Sequence, residues 1–160
     1  MSSSHGPNDF DPRLYDQVCF ACGDRNQHGL HLRFQRDGAD AVVCRYEPKP
    51  EDQGFPGVMH GGILAALLDE AMAWAMWTAD HALGVTAKME TRYRRSVGTE
   101  ALLVVRSRVL RLRGRRIEVE ATVDNAEGDR LAEATALFMR FAPDVELQMS
   151  EALGWASVPD

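Results

Sequence analysis

Cysteine is scarce in this 160-residue chain, which contains only three. Such a small, odd set excludes a disulfide framework as the basis of the fold. Long apolar runs are also lacking, because the longest one, over residues 63–79, carries Asp69 and Glu70 at its centre. We therefore expect no membrane span. The first 17 residues contain no basic region followed by an apolar run, so we also expect no secretory signal and a cytoplasmic location.

Positive charge is in deficit as well. The chain has 18 basic and 24 acidic residues, for a formal net charge of −6. This balance argues against a nucleic-acid partner, which requires a basic face, although local basic clusters still allow an anionic ligand. The length suits a single domain, and the 45% hydrophobic and 26% charged residues are typical of an ordinary globular protein.

Hydrophobic periodicity predicts two strands, one long helix and four further strands. The helix, from Gly61 to about Thr78, is rich in Ala, Leu and Met and apolar nearly all the way round, so it should be buried on most sides. A loop with three prolines, residues 48–57, precedes it, and short glycine turns separate the last four strands. The predicted strands cover residues 30–35, 41–47, 85–95, 101–112, 117–125 and 131–142.

One helix that is apolar all round needs a sheet curled around it, because a flat sheet would leave half of it in water. The element order therefore predicts an α+β hotdog fold, an antiparallel β-sheet wrapped around one long central helix. We expect a flexible N-terminal leader over residues 1–17, the domain over 18–145 and a C-terminal tail over 146–160. The sheet edges should pair between subunits, giving at least a dimer.

Several sequence runs resemble those of the phenylacetate-pathway-type acyl-CoA thioesterases in the hotdog superfamily. The run HGGILAALLDEA, residues 60–71, has the family's His-Gly-Gly loop and an acidic residue nine positions after the histidine, here Asp69. Residues 85–93 are similar to the family's third strand, and residues 19–23, CFACG, resemble an N-terminal element of some members. Ser96 stands where the family usually has proline. The resemblance implies hydrolysis of an acyl- or aryl-CoA without a further cofactor, by a homodimer assembled as a homotetramer.

The helix start is the first candidate site. The N–H groups of Gly61 and Gly62 lack intrahelical partners there and point outward with the positive end of the helix dipole. Glycine lets a ligand approach the backbone closely, so both residues are candidates for substrate binding. Such a start suits a carbonyl oxygen that becomes an oxyanion, and the resemblance assigns this contact to the Gly61 N–H.

Asp69 is the candidate catalytic carboxylate. Burying a carboxylate among apolar neighbours is costly unless it is paired or used, although pairing with an arginine would also explain it. The residue has two open roles, general base toward water or nucleophile toward the thioester carbon. Glu70, rotated about 100° around the helix, should face the subunit interface or a partner arginine.

Three further polar residues are candidates. His60 is expected to orient its loop by hydrogen bonding. Gln53 either holds the substrate carbonyl or water, or is an ordinary loop amide. Thr86 matches a position that supplies a water-positioning hydroxyl across the dimer in some relatives, although strand alternation places it on the polar face with Lys88 and Glu90.

Local guanidinium groups would be needed to hold the phosphates of CoA, and Arg95, Arg115 and Arg116 are the candidates. Cys19 and Cys22 invite a zinc interpretation. Structural zinc normally takes four ligands and no second CxxC exists, so the sequence predicts no metal and two small buried residues that begin a strand.

Other functions fit the sequence less well. A non-catalytic acyl-CoA-binding module is the main alternative, but it leaves Asp69 without a task. A hydratase acting on β-hydroxyacyl thioesters would need a histidine paired with an acid, and neither His60 nor His81 has that spacing. A purely structural role would predict a closed helix start.

Overall fold

The computed structural model describes residues 6–159 of the chain. Its strands and long helix follow the predicted order, and the structure adds a second helix near the C-terminus and three short 3-10 helices. The strands and helices are β1 (Phe34–Arg36), β2 (Ala41–Tyr46), α1 (Gly61–Asp80), β3 (Gly84–Tyr93), β4 (Leu103–Arg113), β5 (Arg116–Asn125), β6 (Arg130–Arg140) and α2 (Pro143–Ala152). The 3-10 helices are Pro12–Tyr15, Pro50–Asp52 and Trp155–Ser157.

The six strands form one sheet in the order β1-β2-β4-β5-β6-β3, and every neighbouring pair is antiparallel. Helix α1 contacts all six strands. Its side chains Leu67, Leu68, Ala71 and Ala75 have no exposed surface. The predicted α+β hotdog fold is therefore confirmed.

Helix α1 begins and ends at identifiable signals. His60 caps its first turn, because its Nδ1 accepts the Gly62 N–H at 2.9 Å. At the other end, His81 has a left-handed backbone with φ of 46°, which stops the helix after Asp80. Among the described residues, no helix is both long and apolar enough to cross a membrane.

The first strand is shorter than predicted and begins later. Leu30 and Leu32 are buried, as their alternation requires, but their N–H groups donate to the carbonyls of Phe20 and Ala21, outside the sheet. His31 between them has φ of 53°, which interrupts an extended strand. Alternation identified the buried side chains correctly, whereas the hydrogen-bond partners depended on a distant turn.

The N-terminal segment differs from the expected flexible leader. Residues 1–5 lie outside the described residues, but residues 6–17 carry buried side chains. Phe10 and Tyr15 pack on Trp74 of α1 at ring-centroid distances of 4.7 and 5.0 Å. The indole of Trp155 lies 5.8 Å from that of Trp74 and donates to the Leu14 carbonyl at 3.0 Å. Both ends of the chain thus cover a part of α1 that the sheet leaves open.

Phe10 provides a test of this packing. Replacing Phe10, which is 2% exposed, by alanine leaves a cavity against Trp74 and should lower the free energy of unfolding by about 3–5 kcal/mol. Phe55→Ala is the matched control, because Phe55 is 82% exposed and should change stability by less than about 0.5 kcal/mol. Urea unfolding at fixed protein concentration measures both. Equal stability of the two variants would show that residues 6–17 are not part of the core.

Candidate active site

The start of α1 presents one N–H group outward. The first-turn N–H groups of Gly62, Ile63 and Leu64 all donate to His60, the first to its ring and the others to its carbonyl. The Gly61 N–H makes no hydrogen bond with any residue in the described part of the chain. The hydroxyl of Tyr93 donates to the Gly61 carbonyl at 2.8 Å and fixes this turn from β3. The histidine cap thus leaves a single backbone donor at the positive end of the helix dipole.

The loop before α1 is anchored by a residue that the sequence analysis missed. Asp52 is buried and accepts hydrogen bonds from the Tyr46 hydroxyl at 2.5 Å and the Lys49 N–H at 2.8 Å. Its carbonyl accepts the His60 N–H at 2.8 Å, which ties the helix cap to the core. Gln53, the next residue and the one predicted as a candidate, is exposed, and its Oε1 accepts the Gly57 N–H at 3.2 Å. A carboxylate three residues after Lys49 was the available signal for this local cap.

Asp69 and Thr86 lie together in one chain. The Thr86 hydroxyl donates to Asp69 Oδ1 at 2.6 Å, so helix α1 and strand β3 are joined at this point. The sequence predicted the two residues on opposite sides of a dimer, but here the contact lies within the subunit. Asp69 is only partly buried in the single chain, and Thr86 is exposed. The carboxylate therefore keeps one face open beyond β3.

A β-bulge accounts for this contact. Regular alternation predicts Thr86 on the same face as Lys88, but the pairing of β3 with β6 shifts between these two residues. Thr86 lies opposite the buried Phe138, whereas Lys88 lies opposite Leu137, so the two side chains point to opposite faces of the sheet. The predicted polar-face placement of Thr86 is wrong, because the bulge at Ala87 turns its side chain toward the helix.

The two main candidate groups are far apart within one chain. Gly61 and Asp69 are eight positions apart in a continuous helix, which corresponds to a rise of about 12 Å. A reacting carbonyl must lie about 3 Å from both its oxyanion donor and the attacking group. One subunit therefore cannot place its own Gly61 N–H and its own Asp69 on the same carbonyl.

Comparisons with known proteins agree with this architecture. The family described as Thioesterase superfamily matches residues 56–132, which include Gly61, Asp69 and Thr86. Over slightly less than half of its length, the chain is therefore similar to the Thioesterase superfamily. The structure of zebra fish thioesterase superfamily member 2 matches it with a TM-score of 0.69 at 19% identity, covering 82% of this chain and 92% of that one.

Two further proteins are similar to the chain over shorter stretches. The acyl-coenzyme A thioesterase THEM4 of Rattus norvegicus is 28% identical over 118 residues, or 73% of this chain. The match covers 50% of the length of this curated relative. The structure of smu.793 from Streptococcus mutans bound to acetyl CoA has a TM-score of 0.65 at 19% identity, covering 69% of this chain and 89% of that one.

The three arginines predicted to hold phosphates do not converge within one chain. Arg95 pairs with Asp129 at 3.3 Å, and Arg115 donates to the Arg140 carbonyl at 2.8 Å. Arg116 lines a groove of about 320 Å³ between β3, β4, β5 and β6. Arg95 lies beside Leu131, at one end of β6, and Arg115 and Arg116 lie at the other, about 25 Å away along the strand.

A second group of polar side chains lies on another face of α1. The carboxylate of Glu70 accepts the Trp74 indole N–H at 3.0 Å and lies 3.8 Å from the sulfur of Cys19. The prediction that Glu70 faces an interface or a partner arginine is therefore wrong. Cys19 and Cys22 lie in a turn rather than at the beginning of a strand, since β1 starts at Phe34.

The side chains of this group shift one another's pKa values. Burial and the nearby Cys19 raise the pKa of Glu70 to about 7. Hydrogen bonds from the Cys22 side chain and from backbone N–H groups lower the pKa of Cys19 to about 5. The same contact with Cys19, together with burial, raises the pKa of Cys22. No local sequence pattern indicates that the Glu70 carboxylate lies beside these cysteines, because Cys19 and Glu70 are 51 positions apart.

Proposed function

We propose that this chain is an acyl-CoA thioesterase, which hydrolyses the thioester of an acyl- or aryl-CoA to the free acid and CoA. The observation that carries the proposal is the pair of Asp69, held by Thr86 and open to the outside, and a helix start with one outward N–H group. The curated relatives' name as acyl-coenzyme A thioesterases and the acetyl CoA bound to a structural relative support the substrate class. The phenylacetate-pathway subtype rests on the sequence resemblance alone, chiefly on the motif at residues 60–71.

The active site would be completed by a second copy of the chain. Strand β3 lies at one edge of the sheet, so one of its sides has no neighbouring strand. Its residues Val85 and Tyr93 are 54% and 52% exposed. A two-fold axis at this edge, perpendicular to β3, gives a self-complementary contact and sets the two α1 helices antiparallel. Asp69 of one subunit would then face Gly61 of the partner subunit. Assembly of such dimers into a homotetramer rests on the family resemblance.

The chemistry follows from these positions. The Gly61 N–H would stabilise the negative charge that develops on the thioester oxygen. Asp69 would act either as general base, taking a proton from water that adds to the carbonyl carbon, or as nucleophile, forming an anhydride that water then opens. In both routes the carbon–sulfur bond breaks and the CoA sulfur takes a proton. Thr86 would orient the carboxylate, and His60 would hold the helix start.

The role of Asp69 is tested by isosteric replacement. Asp69→Asn keeps an oxygen that accepts from Thr86 but removes the negative charge, so kcat should fall by about 10²–10⁴-fold with little change in thermal stability. A panel of acyl- and aryl-CoAs with detection of the free thiol measures the rate. Thr86→Ser should retain most activity, whereas Thr86→Val should lose part of it. Equal rates for the wild type and Asp69→Asn would contradict the assignment.

The role of the Gly61 N–H is tested by proline. Gly61 occupies the first helical position, where proline is well accepted, and the preceding His60 already has extended backbone angles. Gly61→Pro removes the N–H and should lower kcat by about 10²–10³-fold while the helix is kept. Gly61→Ala is the matched control, since its Cβ would meet Tyr93 at an ordinary 3.6 Å and the N–H remains. Similar losses in both variants would point to crowding rather than to a lost donor.

Sharing of the site between subunits is tested by mixing these two inactive variants. In a mixed dimer of Asp69→Asn and Gly61→Pro chains, one site carries both defects and the other is intact. Random exchange at equal concentrations should therefore restore about a quarter of the wild-type activity per chain, because about half of the dimers are mixed. Co-refolding followed by the thiol-release assay measures the recovery. No recovery, with mixed dimers demonstrated by mass spectrometry, would overturn the shared site.

A further inference from the structure

Three metal-ligating side chains meet about 100° around α1 from Asp69. The sulfur atoms of Cys19 and Cys22 and a carboxylate oxygen of Glu70 all lie within 4.8 Å of one another. The Cys19 sulfur is 3.8 and 3.9 Å from the two oxygens of Glu70. A tetrahedral zinc ion, with bonds of about 2.3 Å to sulfur and about 2.0–2.2 Å to oxygen, separates such a ligand pair by about 3.6 Å. The arrangement is therefore close to that of a coordinated zinc ion.

N–H donors contact the ligand side chains and hold them in position. Backbone N–H groups of its own turn donate to Cys19, and the side-chain amide of Gln17 donates to Cys22 at 3.6 Å. The Trp74 indole donates to Glu70 at 3.0 Å. Over residues 6–159, neither lysine nor arginine forms an ion pair with Glu70. Such outer hydrogen bonds orient ligands and strengthen metal sites, and a bound cation would stabilise the deprotonated forms of these groups.

The cysteine turn is fixed by its own backbone. Gly23, directly after Cys22, donates its N–H to the Cys19 carbonyl at 2.9 Å. A Cβ at Gly23 would lie 2.4 Å from the Gln17 carbonyl oxygen and 2.5 Å from the Cys19 nitrogen, so no other residue fits without moving backbone. The ligands are thus in place through contacts that do not involve an ion, and binding requires no refolding.

We propose that Cys19, Cys22 and Glu70 form a zinc site that fastens the N-terminal cysteine turn to α1, one position along from Asp69. Two thiolates with one carboxylate suit zinc better than hard cations such as magnesium or calcium. Binding requires both cysteines as thiolates and Glu70 as a carboxylate, so the protons that these groups still carry pass to solvent. Water would take the fourth position, since Cys19 is only partly buried. The sequence-based argument against a metal, the lack of a second CxxC, did not include Glu70.

The test measures metal directly and does not depend on thioesterase activity. The full chain, without a histidine tag, is stripped with a chelator and titrated with zinc in competition with a chromophoric chelator. Elemental analysis should then find about one zinc per chain. Cys22→Ser and Glu70→Gln should each bind at least about tenfold more weakly. Cys44→Ser is the matched control and should bind like the wild type, because Cys44 lies outside the cluster.

Two readouts on the unmodified chain keep the proposal testable if a variant folds poorly. Zinc should protect Cys19 from a thiol reagent in the native protein, and chelation should restore its reactivity. Cobalt loading should give a thiolate-to-metal charge-transfer band in the near ultraviolet. Binding no tighter than that of a Cys19→Ser/Cys22→Ser double variant would overturn the proposal. So would a metal-free chain whose mass is lower by two hydrogen atoms, which would identify a Cys19–Cys22 disulfide.

Discussion

Helix α1 has no polar stripe to turn toward water, and burying it on all sides is the constraint on which the structure depends. The six-stranded sheet curls around the helix, but its short first strand leaves the part around Trp74 uncovered. Phe10 from one end of the chain and Trp155 from the other complete the cover. The segments outside the predicted domain are therefore needed by the helix, because an exposed indole and its neighbours would lose the stabilisation that burial gives.

A wrapped apolar helix has few places for polar side chains, and its two adjacent acids lie in different ones. Asp69 lies where the sheet ends at β3, so its carboxylate reaches Thr86 and keeps an open side. Glu70, turned about 100° away, meets the cysteine turn that crosses the helix before β1. The same geometry that leaves Asp69 open on one side brings Glu70 against the cysteine turn.

Backbone details, rather than side-chain identity alone, define the candidate active site. The ring of His60 takes the Gly62 N–H and leaves the Gly61 N–H outward, so one donor is selected from a helix start that offers several. The bulge at Ala87 turns Thr86 from the outer to the inner face of β3. In both cases a single local irregularity, the His60 cap or the bulge at Ala87, decides whether a group can take part in the candidate active site.

The sequence by itself determined the order of the six strands and helix α1 and the residue at which α1 begins, because periodicity, glycine turns and helix caps are properties of neighbouring residues. Tertiary structure alone decided on which face of the sheet Thr86 lies, that Asp52 anchors the loop before α1, and which side chains contact Glu70. A bulge is visible only in the pairing of two strands, and the contact between Cys19 and Glu70 joins residues 51 positions apart. Local patterns cannot encode such contacts, since they depend on how the whole sheet closes around the helix.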